Sequence, residues 1–324
     1  MKDPLKAVGI AGGALLAGAG AAAAGALTLF NRVIPRQDGV RVDTSEMATE
    51  EQWEEYQKLI GARKEWFLQQ ETEHMTIKSR DGLTLHGDYV RTAAESVNKL
   101  LIAFHGYTSN RMGCSTIASC FLKRGYDVLV VDARAHGESE GEYSGFGILD
   151  RFDCLAWINY INDRFNKEKD IILHGVSMGG ATVLMASGLS QMPDNVKAII
   201  ADCAFTSPYD VFAHVLKRDY KLPPFPIMNI TDEICRRTAG YGFKEYSTLT
   251  AMSKNTIPTL FIHGKNDRFV PMWMSEKNYQ TCTAPKDMLL VDNAGHGASL
   301  FEAPELYENK VFQFLDKYAD KAEP

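Results

Sequence analysis

The chain predicts a doubly wound α/β fold on a mostly parallel sheet. From Lys99 onward short apolar runs alternate with helical patterns. A glycine-flanked serine stands where one such run gives way to a small-residue helix, and glycine-bearing loops follow the later runs.

The first thirty residues stand apart. After Met1 to Lys6, the run Ala7 to Phe30 carries no charge and consists mainly of Ala, Gly and Leu. It is long enough for a bilayer, which takes about 20 apolar residues. Residues 1–30 therefore read as a single-pass N-terminal anchor at the cell membrane. The rival is a signal peptide cut at Ala24-Gly25-Ala26, which would leave a secreted chain, and a buried soluble helix comes third because the run has no polar face. Orientation stays open, because Lys2 and Lys6 precede the run and Arg32, Arg36 and Arg41 follow it.

Residues 31–74 read as a linker and an amphipathic helix. Asn31 to Asp43 is polar and broken by Pro35 and Gly39. Thr49-Glu50-Glu51-Gln52 is a capping box, and Trp53, Tyr56, Ile60 and Phe67 follow at helical spacing.

Residues 75–324 read as the main domain. Met75–Ser79 and Leu83–Val90 flank Arg80-Asp81-Gly82 as a hairpin at one sheet edge. Then come strand Leu100–Phe104, helix Thr116–Arg124, strand Tyr126–Val131 and helix Ile148–Phe165. Later strands are the run from Ile171, Val196–Ala201, Thr259–His263 and Met288–Val291. A last helix carries Leu306, Val311, Phe314 and Tyr318 on one face. The stretch between Ala201 and Thr259 is too long for an ordinary loop. It predicts a small helical cap, about residues 207–252, inserted before the penultimate strand. Its Phe212, Leu216, Leu222, Phe225, Ile227 and Met228 are candidate substrate-binding residues.

Composition narrows the chemistry. With 324 residues, 23% charged, 45% hydrophobic and a formal net charge of -6, the chain is an ordinary globular protein with no call for nucleic acid. Its six cysteines form no Cys-x-x-Cys, and His-Glu-x-x-His is absent. No metal and no organic cofactor are expected.

The serine is Ser177 in Gly175-Val-Ser-Met-Gly179, a G-x-S-x-G elbow between an apolar strand and a helix. Such a turn lifts the hydroxyl off the sheet and points the Met178 N–H to where an oxyanion would form. A serine needs a base, and the base an orienting acid, in the chain order Ser, acid, His. His214, His263 and His296 follow Ser177. His296 sits in the glycine-flanked loop after the last strand and is the candidate base. Asp267, in Gly264-Lys-Asn-Asp-Arg-Phe-Val-Pro271, is the candidate acid, with Asp202 and Asp292 as competitors. The turn His105-Gly106-Tyr107 follows the first long parallel strand and offers the Tyr107 N–H as second oxyanion donor. His105 reads as structural.

With His105-Gly106, Asp132-Ala-Arg-Ala-His-Gly-Glu-Ser139, the elbow, Gly264-Lys-Asn-Asp267 and Gly295-His-Gly297 in this order, the chain resembles the α/β-hydrolase superfamily from about Met75 to Tyr318. It is most similar to bacterial members of the serine aminopeptidase/monoglyceride-lipase-like group, many of which carry an N-terminal anchor. The resemblance implies the α/β-hydrolase fold and a structural role for the Asp132–Ser139 loop, so His136 is not carried over as catalytic. A serine nucleophile implies acyl transfer to water. The expected activity is hydrolysis of a small-molecule acyl ester, thioester or lipid through an acyl-enzyme. The alternatives are a serine peptidase with the same triad and a non-catalytic binding module on this fold.

Overall fold

The computed structural model describes residues 20–37, 47–93 and 98–319. Its apolar runs become eight strands: β1 (Thr72–Lys78), β2 (Thr84–Val90), β3 (Lys99–Phe104), β4 (Asp127–Val131), β5 (Asp170–Val176), β6 (Val196–Asp202), β7 (Thr259–Gly264) and β8 (Lys286–Val291). They form one sheet in the order β1-β2-β4-β3-β5-β6-β7-β8. β1 is antiparallel to β2, and β2 to β4; every other pair is parallel. The strand order reverses beside β3, so a crevice opens past the carboxyl ends of β3 and β5. That switch point is where ligands bind in open sheets of this kind.

Two-residue periodicity divides the core between the faces of the sheet. Leu101 and Ala103 of β3 face one side with Tyr56 and Phe67 of α2 (Glu50–Leu68), Phe121 of α3 (Ser115–Lys123) and Val311 of α11 (Pro304–Tyr318). Leu100, Ile102 and Phe104 face the other side, with Trp157 and Ile161 of α4 (Asp150–Arg164) and Leu184 of α5 (Met178–Ser187). The capping box forms as the sequence requires. Thr49 Oγ1 accepts the Gln52 N–H at 3.3 Å, and Gln52 Oε1 accepts the Thr49 N–H at 3.1 Å. Further helices are α6 (Pro208–Tyr220), α7 (Ile227–Thr238), α8 (Thr248–Met252), α9 (Trp273–Thr281) and α10 (Ser299–Glu302).

Two segments differ from the sequence expectation. α8 falls within residues 207–252, yet its Ala251 and Met252 join the core beside α4 and α5. Within residues 207–252, α6 and α7 instead bury their apolar residues in the cluster with Phe146 and Met178. The apolar N-terminal run lies largely outside the described residues, but residues 20–33 form a helix, α1. Its Ala26 and Phe30, with Ile34 beyond it, recur four residues apart and are buried. They pack in one cluster with Ile227 and Met228 of α7 and Phe146. A run that is apolar at nearly every position carries no stripe, so its packing face was invisible in the sequence. Among the described residues no helix is long and apolar enough to cross a membrane.

Candidate active site

Ser177 joins β5 to α5 at φ 54° and ψ -112°. Such a conformation costs a residue with a side chain about 1–3 kcal/mol and persists only where its surroundings impose it. Here they do. A Cβ on Gly175 would stand 2.2 Å from the Gly179 carbonyl carbon, and one on Gly179 would stand 2.2 Å from the Phe104 carbonyl oxygen. Both glycines let the helix start against the ends of β3 and β5. The Ser177 N–H donates to the Asp202 carbonyl at 2.8 Å, which ties the turn to the end of β6.

Loops from three parts of the chain converge there. His296 Nε2 lies 2.8 Å from Ser177 Oγ, and His296 Nδ1 lies 2.8 Å from Asp267 Oδ2. The other carboxylate oxygen, Oδ1, accepts the Phe269 and Val270 N–H groups at 2.9 and 2.8 Å, locking the acid's orientation. Burial alone would raise the Asp267 carboxyl. The charges and hydrogen bonds of His296 and His263 outweigh burial and hold it well below the ordinary carboxylate range.

The competing groups fall elsewhere. Asp292 is exposed and pairs with Lys265 at 2.7 Å. Asp202 is buried, and its Oδ1 accepts the Ser299 hydroxyl at 3.1 Å. His214 bonds the Arg268 carbonyl at 2.9 Å. His263 sits behind Asp267, with Nε2 at 3.2 Å from Oδ2 and 2.8 Å from the Val270 carbonyl. Its Nδ1 meets Ser275 Oγ at 2.7 Å. Burial disfavours the His263 imidazolium, but Asp267 overrides this and raises its affinity for a proton. This second imidazole on the acid was not foreseen, because a histidine inside a strand reads as packing.

Burial pushes Asp202 up to about 6 from 3.8, against the opposing charge of His263. The folded chain therefore holds this proton more tightly than the unfolded chain, so stability from this group is lost as pH climbs between those two values. Asp202→Asn is expected to flatten that decline. Urea midpoints at about pH 4 and about pH 7 measure it, with a difference of up to roughly 3 kcal/mol between variant and wild type.

On the other side of Ser177 lies the turn after β3. A Cβ on Gly106 would stand 3.5 Å from Ser177 Cβ, so this backbone runs alongside the serine. Met178 opens α5 and is buried. His105 is fixed by the Ala133 N–H at 3.0 Å on Nε2 and the Gly106 carbonyl at 2.7 Å on Nδ1, a structural placement. The Tyr107 hydroxyl donates to the Val33 carbonyl at 2.7 Å, tying the turn to the end of α1. The Asp132–Ser139 loop is held both within itself and to α4. Arg134 pairs with Asp153 at 2.6 Å, Ser139 Oγ donates to the Asp132 carbonyl at 2.8 Å, and a Cβ on Gly137 would collide with Asp132.

Of the cap residues, Phe212, Leu216, Ile227 and Met228 gather in the apolar cluster that also holds Met178 and Phe146. The Phe146 ring lies 4.8 Å from that of Phe212 and 5.0 Å from that of Tyr107, forming an aromatic wall. Leu222 and Phe225 do not join it; they are 41% and 73% exposed. Lys221 ends α6 in the left-handed conformation, and the connection to α7 carries both side chains to solvent. Ser177 itself is only 6% exposed.

A family profile described as alpha/beta hydrolase fold matches residues 99–227. The uncharacterized protein YqkD of Bacillus subtilis is 31% identical over 259 residues, spanning 80% of this chain and 84% of that one. An esterase of Pyrococcus furiosus superposes with a TM-score of 0.63 at 24% identity, covering 78% of this chain and 92% of the esterase. An acylaminoacyl peptidase of Pyrococcus horikoshii gives a TM-score of 0.54 at 21% identity, over 78% of this chain and 42% of the peptidase. The likeness to these two structures is one of fold.

Proposed function

The chain belongs to the alpha/beta hydrolase superfamily, and from that premise we propose that it is a serine hydrolase cleaving carboxylic ester or thioester bonds of apolar acyl substrates. The observation that carries this reading is the unbroken series Ser177 Oγ, His296, Asp267, each contact 2.8 Å, at a strained elbow. In this reading Ser177 Oγ attacks the acyl carbon while His296 Nε2 takes its proton. Asp267 keeps the imidazole oriented and steadies its positive charge without becoming protonated. The Tyr107 and Met178 N–H groups receive the developing oxyanion. His296 then protonates the leaving group and afterwards activates water to release the acyl chain.

An apolar acyl group is favoured over an aminoacyl group by what the cap offers. Phe212, Leu216, Ile227 and Met228 gather in the buried apolar cluster that also holds Met178, the residue after Ser177. The cap carboxylates that would meet a free amine are engaged. Asp210 accepts Thr206 Oγ1 at 2.6 Å, Asp219 pairs with Arg218, Asp232 with Arg236 and Glu233 with Arg237. Burial contributes about 0.8 kcal/mol per methylene. Across acetyl, butyryl, hexanoyl and octanoyl esters, kcat/KM should climb roughly three- to four-fold per methylene until the pocket is full. Aminoacyl amides form the control series. A flat or falling profile would refute the apolar pocket, and faster amide turnover would establish a peptidase.

Membrane attachment through the N-terminal run is part of the same proposal, in a narrower form. A Cβ on Gly25 would lie 3.6 Å from Ile227, and Ala26 is buried against the cap. Ala22 packs against the same cluster, so an anchor would end before it, leaving the uncharged run from Ala7 to Ala21, shorter than the about 20 residues a straight span takes. Fractionation should find the full chain with membranes and a chain starting at Gly25 in the supernatant. A mature N-terminus at Leu27 would instead establish signal-peptide cleavage.

A further inference from the structure

The β1–β2 hairpin carries a second chemical cluster, away from Ser177. Its register pairs His74 with Asp88 and Thr76 with His86, which sets His74 and His86 diagonally on one face. His74 Nε2 lies 2.9 Å from His86 Nδ1. Glu138, from the loop after β4, brings Oε2 to 3.9 Å from His74 Nε2. One ligand atom from each residue lies within 4.8 Å of the other two.

We propose that His74, His86 and Glu138 bind a divalent first-row transition ion of the zinc type, as a clamp between the hairpin and the Asp132–Ser139 loop. Two imidazole nitrogens and one carboxylate are a donor set such ions take, with water completing the shell. Zinc–nitrogen bonds of about 2.0–2.1 Å put two ligating nitrogens roughly 3.3 Å apart on a tetrahedral ion, close to the spacing here. The tautomer also suits. His74 Nδ1 faces Asp88 Oδ1 at 2.7 Å, and donating its proton there leaves Nε2 to accept from His86 Nδ1, whose proton would move to His86 Nε2 when an ion takes its place. A carboxylate behind a ligating histidine is the usual outer support of such ions.

Charge points the same way. Arg111 pairs through Nε with Asp88 at 2.6 Å, through Nη2 with Glu138 at 2.6 Å and through Nη1 with Asp132. Three carboxylates around one guanidinium leave a formal charge that one divalent ion with neutral imidazoles balances. Asp132 Oδ1 also accepts the Arg111 N–H at 2.7 Å, so the clamp reaches the segment just beyond Tyr107.

Zinc titration of the chelator-stripped full chain by calorimetry tests this, with a thermal melt alongside. One equivalent should bind and raise the melting temperature. His74→Ala/His86→Ala should bind at least about tenfold more weakly and lose the thermal gain. Glu138→Gln, on a 59% exposed side chain, should weaken binding without harming the fold. Cys203, Asp267 and His296 also converge, so His296→Ala is titrated in parallel. An equivalent that survives the hairpin substitutions and disappears in His296→Ala overturns the proposal. So does a wild-type chain that takes up no zinc.

Discussion

Ser177→Ala is expected to reduce kcat on any ester the wild-type chain turns over by roughly 10⁴ to 10⁶. The hydroxyl is the atom that His296 Nε2 meets at 2.8 Å, and alanine removes the proposed nucleophile together with its proton. The remaining rate would come from the oxyanion donors and the pocket alone. Fold and stability should hardly change, because the backbone N–H bond to the Asp202 carbonyl survives the substitution. A fluorophosphonate probe reads the result directly. Wild type should be labelled and the variant not; equal labelling would exclude Ser177 as nucleophile. Melting curves on the same samples separate lost chemistry from lost fold.

Gly179→Ala should instead act through the fold. The added methyl would stand 2.2 Å from the Phe104 carbonyl oxygen, 2.6 Å from its carbon and 2.7 Å from the His105 carbonyl oxygen. These are backbone atoms at the end of a central strand and cannot swing aside as a side chain can. Overpacking of a core typically costs about 1–3 kcal/mol, and more where no neighbour can yield. A loss of roughly 3 kcal/mol or more is expected, with activity lost as the elbow and the Gly106 turn separate. Gly61→Ala is the internal contrast. Gly61 is exposed within α2, and a Cβ there meets nothing within 4 Å. That substitution should stabilise by about 0.5–1 kcal/mol. Urea denaturation of the two variants beside wild type checks both signs, and equal midpoints would refute the account of the elbow.

Much of this arrangement was legible beforehand for identifiable reasons. Apolar runs that are buried on both faces of a sheet need no partner to be recognised, and β3 to β7 appear within about two residues of their expected bounds. The Thr49 capping box is a local interaction and formed as a local rule requires. The glycines at 175 and 179 signal a close approach of backbones, which the Phe104 contact explains. The helix α9 between β7 and β8 was not anticipated. Its polar sequence, Trp-Met-Ser-Glu-Lys-Asn-Tyr-Gln-Thr, has no clear apolar stripe, and packing rather than pattern holds it.

By itself the sequence determined the order of strands and helices, the elbow and the loops on which a serine, an aspartate and a histidine stand. Those depend on short-range stereochemistry and on which residues avoid water, and both are written within a few neighbouring positions. Only the tertiary structure decided which groups meet. It set Asp267, rather than Asp202 or Asp292, against His296, and it placed a second imidazole, His263, behind that acid. It turned Leu222 and Phe225 outward while Phe212 and Met228 went in. It also laid α1 along the cap, with the Val33 carbonyl on Tyr107. Each of these contacts joins residues or surfaces whose chemistry permits several partners. The choice among them falls to the geometry of the whole sheet, because a carboxylate or an apolar side chain accepts whichever complementary neighbour the fold brings within reach.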